Sequence, residues 1–253
     1  MTSDEYISQV ISRYKSPQLS PLEELIVLQP LYGVIGRWAG NHLLSTKVSG
    51  SRAKGTAIRV ASDYDLFVSL SSNTSETLKE VYNSLASYLE INGYSARRQN
   101  VSLQVDSSGK KVDITPGKQR AGFVNYHSIY RSKVDSWTQT NVDLQISTVL
   151  QSGRQDEIVI SKIWRHLNSL SFPSMYLELT VINALCYRRR GDLANNFHQV
   201  LTYLRDSFVD ARVQDPSNTN NAVSDDLYRY EKQEIAASAA ASIQKSYWSE
   251  IVW

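Results

Sequence analysis

The sequence predicts an α/β lobe with a mixed, twisted sheet, joined to a second lobe made of helices. Residues 63–70 alternate as a half-buried strand does, and an apolar stripe over residues 78–89 predicts the helix that follows it. Residues 101–105 and 111–116 predict two more strands joined by a turn, and this strand–helix–strand order favours a mixed sheet backed by helices. Apolar spacing in the second half of the chain is mostly helical.

Helices are expected before the sheet begins. Residues 4–14 predict a short helix. Residues 20–23 predict a second helix start, with serine as the N-cap, proline at the first helical position and glutamate in the first turn. The helical pattern breaks at Pro30 and resumes as far as Leu44. A small-residue turn with Gly50 then leads towards the first predicted strand.

Two aspartates open the predicted strand over residues 63–70. Alternate side chains of a strand share a face, so Asp63 and Asp65 are expected side by side, while Leu66 and Val68 face the core. Adjacent carboxylates repel each other unless a cation compensates for their charge. Because hard divalent cations prefer oxygen ligands, the pair indicates a Mg²⁺ site.

A third acid and the small-residue turn complete the candidate site. Asp113 lies in the short apolar strand over residues 111–116. Three acids on adjacent strands are able to hold two metal ions, here Mg²⁺ or alternatively Mn²⁺. Gly50 lets the backbone come close to a ligand, and Ser51 offers a hydroxyl and a backbone N–H to a phosphate.

The joint spacing of Gly50-Ser51, Asp63-x-Asp65 and Asp113 resembles that of the nucleotidyltransferase superfamily that contains DNA polymerase beta. The runs GSRAKGT at residues 50–56 and SDYDLFV at residues 62–68 look closer to one branch. That branch holds archaeal-type CCA-adding enzymes, oligoadenylate synthetases and bacterial signalling cyclases of anti-phage defence. The resemblance implies an active site in the cleft between two lobes, where a hydroxyl attacks the α-phosphorus of an NTP or dNTP and pyrophosphate leaves.

The resemblance also implies a role for each acid. Asp63 and Asp65 would hold both metal ions. Asp113 would complete the ion that activates the attacking hydroxyl, and it is the candidate general base.

Further motifs extend the resemblance over about residues 20–225. Lys162 stands where family members place a lysine that neutralises the triphosphate, and Ser174 begins a stretch similar to the family's serine-aromatic-leucine-glutamate helix start. The segment QDPSNTNNAV at residues 214–223 resembles the Asp-Pro…Asn-Asn-Val segment of the same enzymes. Lys162 and Ser174 are therefore expected to bind phosphates, and Tyr176 either stacks on the base or belongs to the core.

The tail, residues 225–253, predicts an alanine-rich helix with several aromatic residues. These aromatics would form a seam against the helical lobe. The compact layout also resembles small Hailong-type defence nucleotidyltransferases, which implies an alternative in which the hydroxyl of Tyr247 primes an oligonucleotide.

Composition limits the cellular compartment and the classes of partner that are expected. The chain has 253 residues and a formal net charge of +2, so no bulk polycation for long duplexes is evident. The single cysteine, Cys186, excludes an internal disulfide and favours a reduced, cytoplasmic setting. No apolar run approaches the ~20 residues that cross a bilayer, and the N-terminus does not resemble a signal peptide, so no membrane partner is expected.

The sequence places a boundary near residue 120. Residues 1–120 are expected to form the catalytic lobe and residues 121–253 the helical lobe, with loop-like chain beyond Pro116 because Gly117 and Gly122 follow it.

The favoured function is template-independent polymerisation of (d)NTPs, dATP or ATP first, into an oligonucleotide signal of anti-phage defence read by a separate effector protein. The alternatives are a cyclic nucleotide second-messenger synthase, a CCA-type enzyme acting on tRNA or RNA ends, and a non-catalytic nucleotide sensor. The chain lacks the further domains with which archaeal-type CCA-adding enzymes grip tRNA, which weighs against tRNA as the acceptor. The sequence does not predict an oligomeric state.

Overall fold

The computed structural model describes residues 1–61 and 63–253; Ser62, which belongs to the motif around Asp63, lies outside the described residues. The chain divides into two compact units. The sheet unit comprises residues 17–53 and 62–146, and the helical unit comprises residues 1–16, 54–61 and 147–253. The predicted fold class, a mixed α/β sheet together with a set of helices, is confirmed.

The strands of the sheet unit form one mixed sheet. Their bounds are β1 Leu43–Val48, β2 Tyr64–Leu70, β3 Arg97–Arg98, β4 Leu103–Ser107, β5 Lys110–Arg120, β6 Phe123–Arg131 and β7 Ser136–Thr140. The strand order is β1-β2-β5-β4-β3, and β6 pairs with both β5 and β7. β2 and β5 run parallel, whereas the other pairs are antiparallel. In the helical unit, β8 Gln214–Asp215 and β9 Asn218–Ala222 form a separate hairpin.

The helices agree with most of the predicted starts and ends. Their bounds are α1 Ser3–Tyr14, α2 Pro21–Glu23, α3 Gln29–Ala39, α4 Gly50–Ala53, α5 Leu78–Ile91, α6 Val142–Ser152, α7 Gln155–Leu167, α8 Ser174–Ala184, α9 Leu193–Asp206 and α10 Arg229–Ile243. Ser20 and Glu23 form the predicted capping box at the start of α2. A π-helical turn over Glu24–Leu28 joins α2 to α3. Gly93, with φ +87°, follows the end of α5, as a left-handed residue commonly does.

One face of the sheet packs on α3 and α5. Leu66 and Val68 of β2 are fully buried in a cluster with Ile35 and Leu85 from these helices. Because β2 alternates, Asp65 faces the other side. On that side Phe67, two residues after Asp65, packs on Ile129 and Val142, so both faces of β2 are packed beyond the acids.

The helical unit has its own core. Trp164, Phe197 and Phe208 are fully buried in one cluster that also includes residues of α1 and α10. The indole Nε1 of Trp164 donates to Ser242 Oγ at 2.9 Å, so its polar atom is satisfied inside the core. Across residues 1–61 and 63–253, the helices are too short or too polar to span a bilayer.

The structure differs from the sequence predictions in three places. Residues 43 and 44 begin β1 rather than end a helix, because they pair with β2. Beyond Pro116 the chain continues as strand, and Gly117 is required there because a Cβ would overlap the Phe67 ring. Residues 121–146 group with the sheet and residues 1–16 with the helices, so the expected boundary near residue 120 is displaced.

Candidate active site

Two of the predicted acids face each other across neighbouring strands. Asp65 on β2 pairs in register with Asp113 on β5, and Asp113 pairs on its other side with Gln104 on β4. Residues directly opposite each other on adjacent strands share a face of the sheet. Asp65, Asp113 and Gln104 therefore form a row on the face opposite α3 and α5.

The third acid joins this row through an amide. Gln104 Nε2 donates to Asp63 Oδ2 at 3.1 Å and to Asp113 Oδ1 at 3.0 Å, so a single nitrogen contacts both carboxylates. Gln99 Nε2 also donates to Asp113 Oδ1, at 3.1 Å. The structure thus brings Asp63, Asp65 and Asp113 to one face of the sheet unit.

The electrostatics of the row disfavour a negative charge on Asp113. Burial raises the pKa of the Asp113 carboxyl, the Gln104 hydrogen bond opposes this effect, and the charge of Asp63 raises the pKa further. A carboxylate in this position gains from a cation more than an isolated surface carboxylate does.

The donor chemistry fits a hard divalent cation, because three carboxylates converge on one face and Asp113 lacks full compensation for its charge. Among the described residues, however, no three His, Cys, Asp or Glu side chains enclose a position for a metal ion. The Gln104 amide lies between two of the acids in this arrangement. Asp63, Asp65 and Asp113 are the residues that would hold the ion.

Gly50 lies directly against Asp65. Its φ is +60°, and a Cβ added at this position would overlap the Asp65 carboxylate. The backbone N–H of Ser49 donates to the carbonyl oxygen of Asp65 at 2.8 Å, which holds the turn against β2. The half-buried Ser51 follows in α4, so the predicted glycine-serine turn adjoins the acids.

Lys162 lies in a buried ionic cluster of the helical unit. Its Nζ donates to Glu178 Oε1 at 2.7 Å and to Thr56 Oγ1 at 3.0 Å. Lys54 Nζ donates to the other carboxylate oxygen, Glu178 Oε2, at 2.8 Å. Because Lys162 is only 2% exposed, contact with a triphosphate stays a prediction and would require its ammonium group to exchange one of these bonds.

The charges of this cluster depend on each other. Burial alone would raise the pKa of the Glu178 carboxyl, but the ammonium groups of Lys162 and Lys54 outweigh that effect and lower it to about 2. Burial lowers the pKa of the Lys162 ammonium, and the Glu178 charge opposes this change. Glu178 is therefore ionised at neutral pH and serves as the counter-ion for two lysines.

We expect Glu178→Gln to lower the free energy of unfolding by about 3–5 kcal/mol, because two buried ammonium groups lose their counter-ion. Urea denaturation at neutral pH measures the change. The matched control is Asp143→Asn, which removes the half-exposed pair with Lys47 and is expected to cost less than about 1 kcal/mol. Equal stabilities for the two variants would contradict this account of the cluster.

Ser174 and Tyr176 have different surroundings although they are two residues apart in α8. Ser174 is exposed at the first position of the helix, and its Oγ accepts from Arg165 Nη1 at 3.1 Å. Tyr176 is fully buried, with its ring centroid 5.2 Å from Phe172 and 5.1 Å from Phe208. The core alternative for Tyr176 therefore fits, and the expectation that it stacks on a base is wrong for this arrangement, because other rings cover it.

Tyr247 lies in the tail after α10 and is 72% exposed. Its backbone N–H donates to Glu250 Oε2 at 3.1 Å, which begins a short 3₁₀ turn over Trp248–Glu250. Its role as a primer stays a prediction.

Sequence reasoning missed several side chains of these sites. The turn over residues 107–110 joins β4 to β5, and counting back from it places Gln104 opposite Asp113. That register was available from the sequence once the turn was recognised. The partners of Lys162 were not predictable from the sequence, because Lys54, Thr56 and Glu178 come from distant parts of the chain.

No protein-family model and no curated protein sequence matches the chain. Its structure is similar to that of CdnC from E. coli MS115-1, solved in complex with HORMA-deltaN, with a TM-score of 0.76 at 18% identity over 94% of this chain and 89% of that chain. The CD-NTase CdnG of Bradyrhizobium diazoefficiens, solved in complex with GTP, has a TM-score of 0.75 at 14% identity over 96% of this chain and 91% of that one.

A poly(U) polymerase is also similar. The H336N mutant of Cid1 bound to MgATP has a TM-score of 0.70 at 12% identity over 96% of this chain and 95% of that chain. At identities this low, it is the structural similarity that establishes a common fold. The chain therefore has the nucleotidyltransferase fold of these CD-NTases and of Cid1.

Proposed function

We propose that the protein is a template-independent nucleotidyltransferase that transfers a nucleotidyl group from an NTP or dNTP to a hydroxyl and releases pyrophosphate. One observation carries the proposal: Asp65 and Asp113 face each other in register, and one amide joins Asp113 to Asp63. The nucleotidyltransferase fold supports it, since solved proteins with this fold include ones bound to GTP and MgATP.

Each acid has a role in the proposed reaction. Asp113 accepts the proton of the attacking hydroxyl, whose oxygen forms a bond to the α-phosphorus. The bond from the α-phosphorus to the bridging oxygen breaks, and pyrophosphate leaves with the electron pair. Asp63 and Asp65 would hold two divalent ions, with Asp113 as a further ligand, and bound Mg²⁺ would neutralise the charge that develops on the phosphate oxygens.

The proposed nucleotide contacts begin at the turn beside Asp65. Gly50 has no side chain between the turn and Asp65, so the backbone of the turn would approach phosphate oxygens held near that acid, and Ser51 would add a hydroxyl and an N–H. Lys162 and Ser174 are proposed as further phosphate ligands because their motif positions match the family. Positioning and charge neutralisation would supply most of the catalysis.

The proposed product is an oligonucleotide signal of anti-phage defence, made first from dATP or ATP and read by a separate effector protein. Two of the structurally similar proteins make other products. CdnE of Elizabethkingia meningoseptica is a cyclic dinucleotide synthase, and Cid1 is a poly(U) polymerase. A cyclic nucleotide and an extended RNA end are therefore the competing products.

The test is incubation of the purified protein with each NTP and dNTP in Mg²⁺, followed by pyrophosphate measurement and mass spectrometry of the products. We expect pyrophosphate release with at least one adenine nucleotide, loss of that release in EDTA, and recovery with Mg²⁺ or Mn²⁺. Linear oligomers, cyclic products and extended RNA ends differ in mass. Absence of pyrophosphate release with every nucleotide, with and without an RNA acceptor, would refute the proposal.

We propose Tyr247 as a primer, because its side chain is largely exposed. Its hydroxyl would attack the α-phosphorus of a dNTP, giving a tyrosine–nucleotidyl bond and free pyrophosphate. Intact-protein mass spectrometry after incubation with dATP and Mg²⁺ is expected to show added nucleotidyl units that Tyr247→Phe abolishes. Tyr228→Phe, at a residue 73% exposed, is the matched control. An unchanged protein mass together with free oligomers would exclude covalent priming.

A further inference from the structure

The row of side chains through Asp113 continues to the edge strand β3. Arg97 pairs in register with Gln104, Gln104 with Asp113, and Asp113 with Asp65. Side chains paired in this way share one face of the sheet. The row therefore crosses four neighbouring strands, which lie about 4.8 Å apart.

Contacts of the two residues that follow Arg97 establish which face it occupies. Gln99, two residues later, reaches Asp113 Oδ1 with its amide. Arg98 instead donates to Asn83 Oδ1 and lies over the Tyr82 ring, and both partners belong to α5. Alternate residues of a strand point to opposite faces, so Arg97 lies on the acid face and Arg98 on the helix face.

The acid face is positively charged on one side of Asp113. Arg97 is exposed, and among the described residues no carboxylate forms an ion pair with it. Lys111, two residues before Asp113 on β5, shares its face and is also exposed. The charges of both cations act on Asp113 and oppose the rise in its pKa that burial causes. An anion beside Asp113 would therefore be attracted towards the edge strand.

The two ends of the row differ in what they accommodate. At one end, the backbone of Gly50 lies against Asp65, where the donor phosphates are proposed to bind. At the other end, the guanidinium group of Arg97 offers a planar pair of N–H donors that matches a phosphate group. Asp113, the proposed base for the acceptor hydroxyl, lies between these ends.

We propose that Arg97 binds the 5′-phosphate of the nucleotide that carries the attacking hydroxyl, so that a nucleotide is preferred over a nucleoside as the acceptor. The inference rests on the proposed function and specifies the acceptor of that reaction. One sugar separates the 3′-hydroxyl of a nucleotide from its 5′-phosphate. A hydroxyl at Asp113 therefore leaves the phosphate of the same short acceptor within reach of the long Arg97 side chain.

The experiment compares AMP and adenosine as acceptors, with 3′-deoxyATP or 2′,3′-dideoxyATP as a donor that permits a single addition. We expect wild type to extend AMP with a kcat/KM at least about tenfold above that for adenosine, since a charge-assisted contact contributes this much. Arg97→Ala is expected to lower extension of AMP to the level of adenosine. Arg98→Ala, the matched control on the other face, is expected to keep the preference.

A binding measurement separates failure of this inference from failure of the proposed function. Fluorescence anisotropy with base-labelled AMP and adenosine, without donor, is expected to show about tenfold tighter binding of AMP by wild type and by Arg98→Ala, but not by Arg97→Ala. If wild type transfers no nucleotide, the proposed function fails, while the anisotropy still decides the role of Arg97. Equal binding of AMP and adenosine by wild type, or a preference for AMP retained in Arg97→Ala, would overturn the inference.

Discussion

Asp113→Asn is expected to lower nucleotidyl transfer by at least about 1000-fold, because an amide neither accepts the proton of the acceptor hydroxyl nor ligates a divalent ion as strongly. The fold is expected to survive. Burial and the charge of Asp63 disfavour the ionised Asp113 carboxyl, so a neutral side chain of equal size removes a repulsion. Pyrophosphate release under initial-rate conditions measures the loss, and circular dichroism checks the fold.

Asp63→Ala and Asp65→Ala are expected to abolish transfer in the same way. Mn²⁺ binding, followed by electron paramagnetic resonance, is expected to weaken in all three variants. The matched control is Asp106→Asn. Asp106 lies on β4 two residues from Gln104, and its Oδ1 accepts the turn N–H of Gly109 at 2.8 Å, so about wild-type transfer is expected. Turnover of Asp113→Asn within about tenfold of wild type would contradict the assignment of the acids.

Gly50→Ala is expected to lower transfer by about 100-fold or more, because the added methyl group overlaps the Asp65 carboxylate and displaces it. The variant is also expected to lose about 1–2 kcal/mol of stability, since φ at this position is +60° and L-residues are strained there. Pyrophosphate release and urea denaturation measure the two effects separately.

Gly109→Ala separates the effect of backbone strain from the effect of steric overlap with Asp65. Gly109 has φ +74° in the turn between β4 and β5, but nothing lies within 4 Å of an added Cβ. This variant is expected to lose similar stability and to retain transfer. If Gly50→Ala and Gly109→Ala retained the same activity, the close approach to Asp65 would have no catalytic role.

Much of the sheet unit was predictable from local patterns. Ser20 and Glu23 marked the start of α2, and Gly93 marked the end of α5, because caps need those residue types at those positions. The alternation around Asp65 and the turn at residues 107–110 predicted β2 and the β4–β5 hairpin.

Other features depend on contacts between distant residues. Strand β1 was missed because its pairing with β2 decides its conformation, while its sequence continues a helical pattern. Gly117 reads as a loop residue, yet it lies in β5 because Phe67 leaves no room for a side chain. Tyr176 and Lys162 matched motif positions, but packing buries both of them.

The sequence by itself determined which residues carry the candidate chemistry, since the glycine-serine turn and the paired aspartates are local patterns with short spacings. Only the tertiary structure decided that Asp113 pairs with Asp65 and that Arg97 closes the same row. The physical reason is that a parallel pair such as β2 and β5 is joined by a long connection that includes α5. No local turn sets the register of such a pair, and the burial of the opposite face must select it.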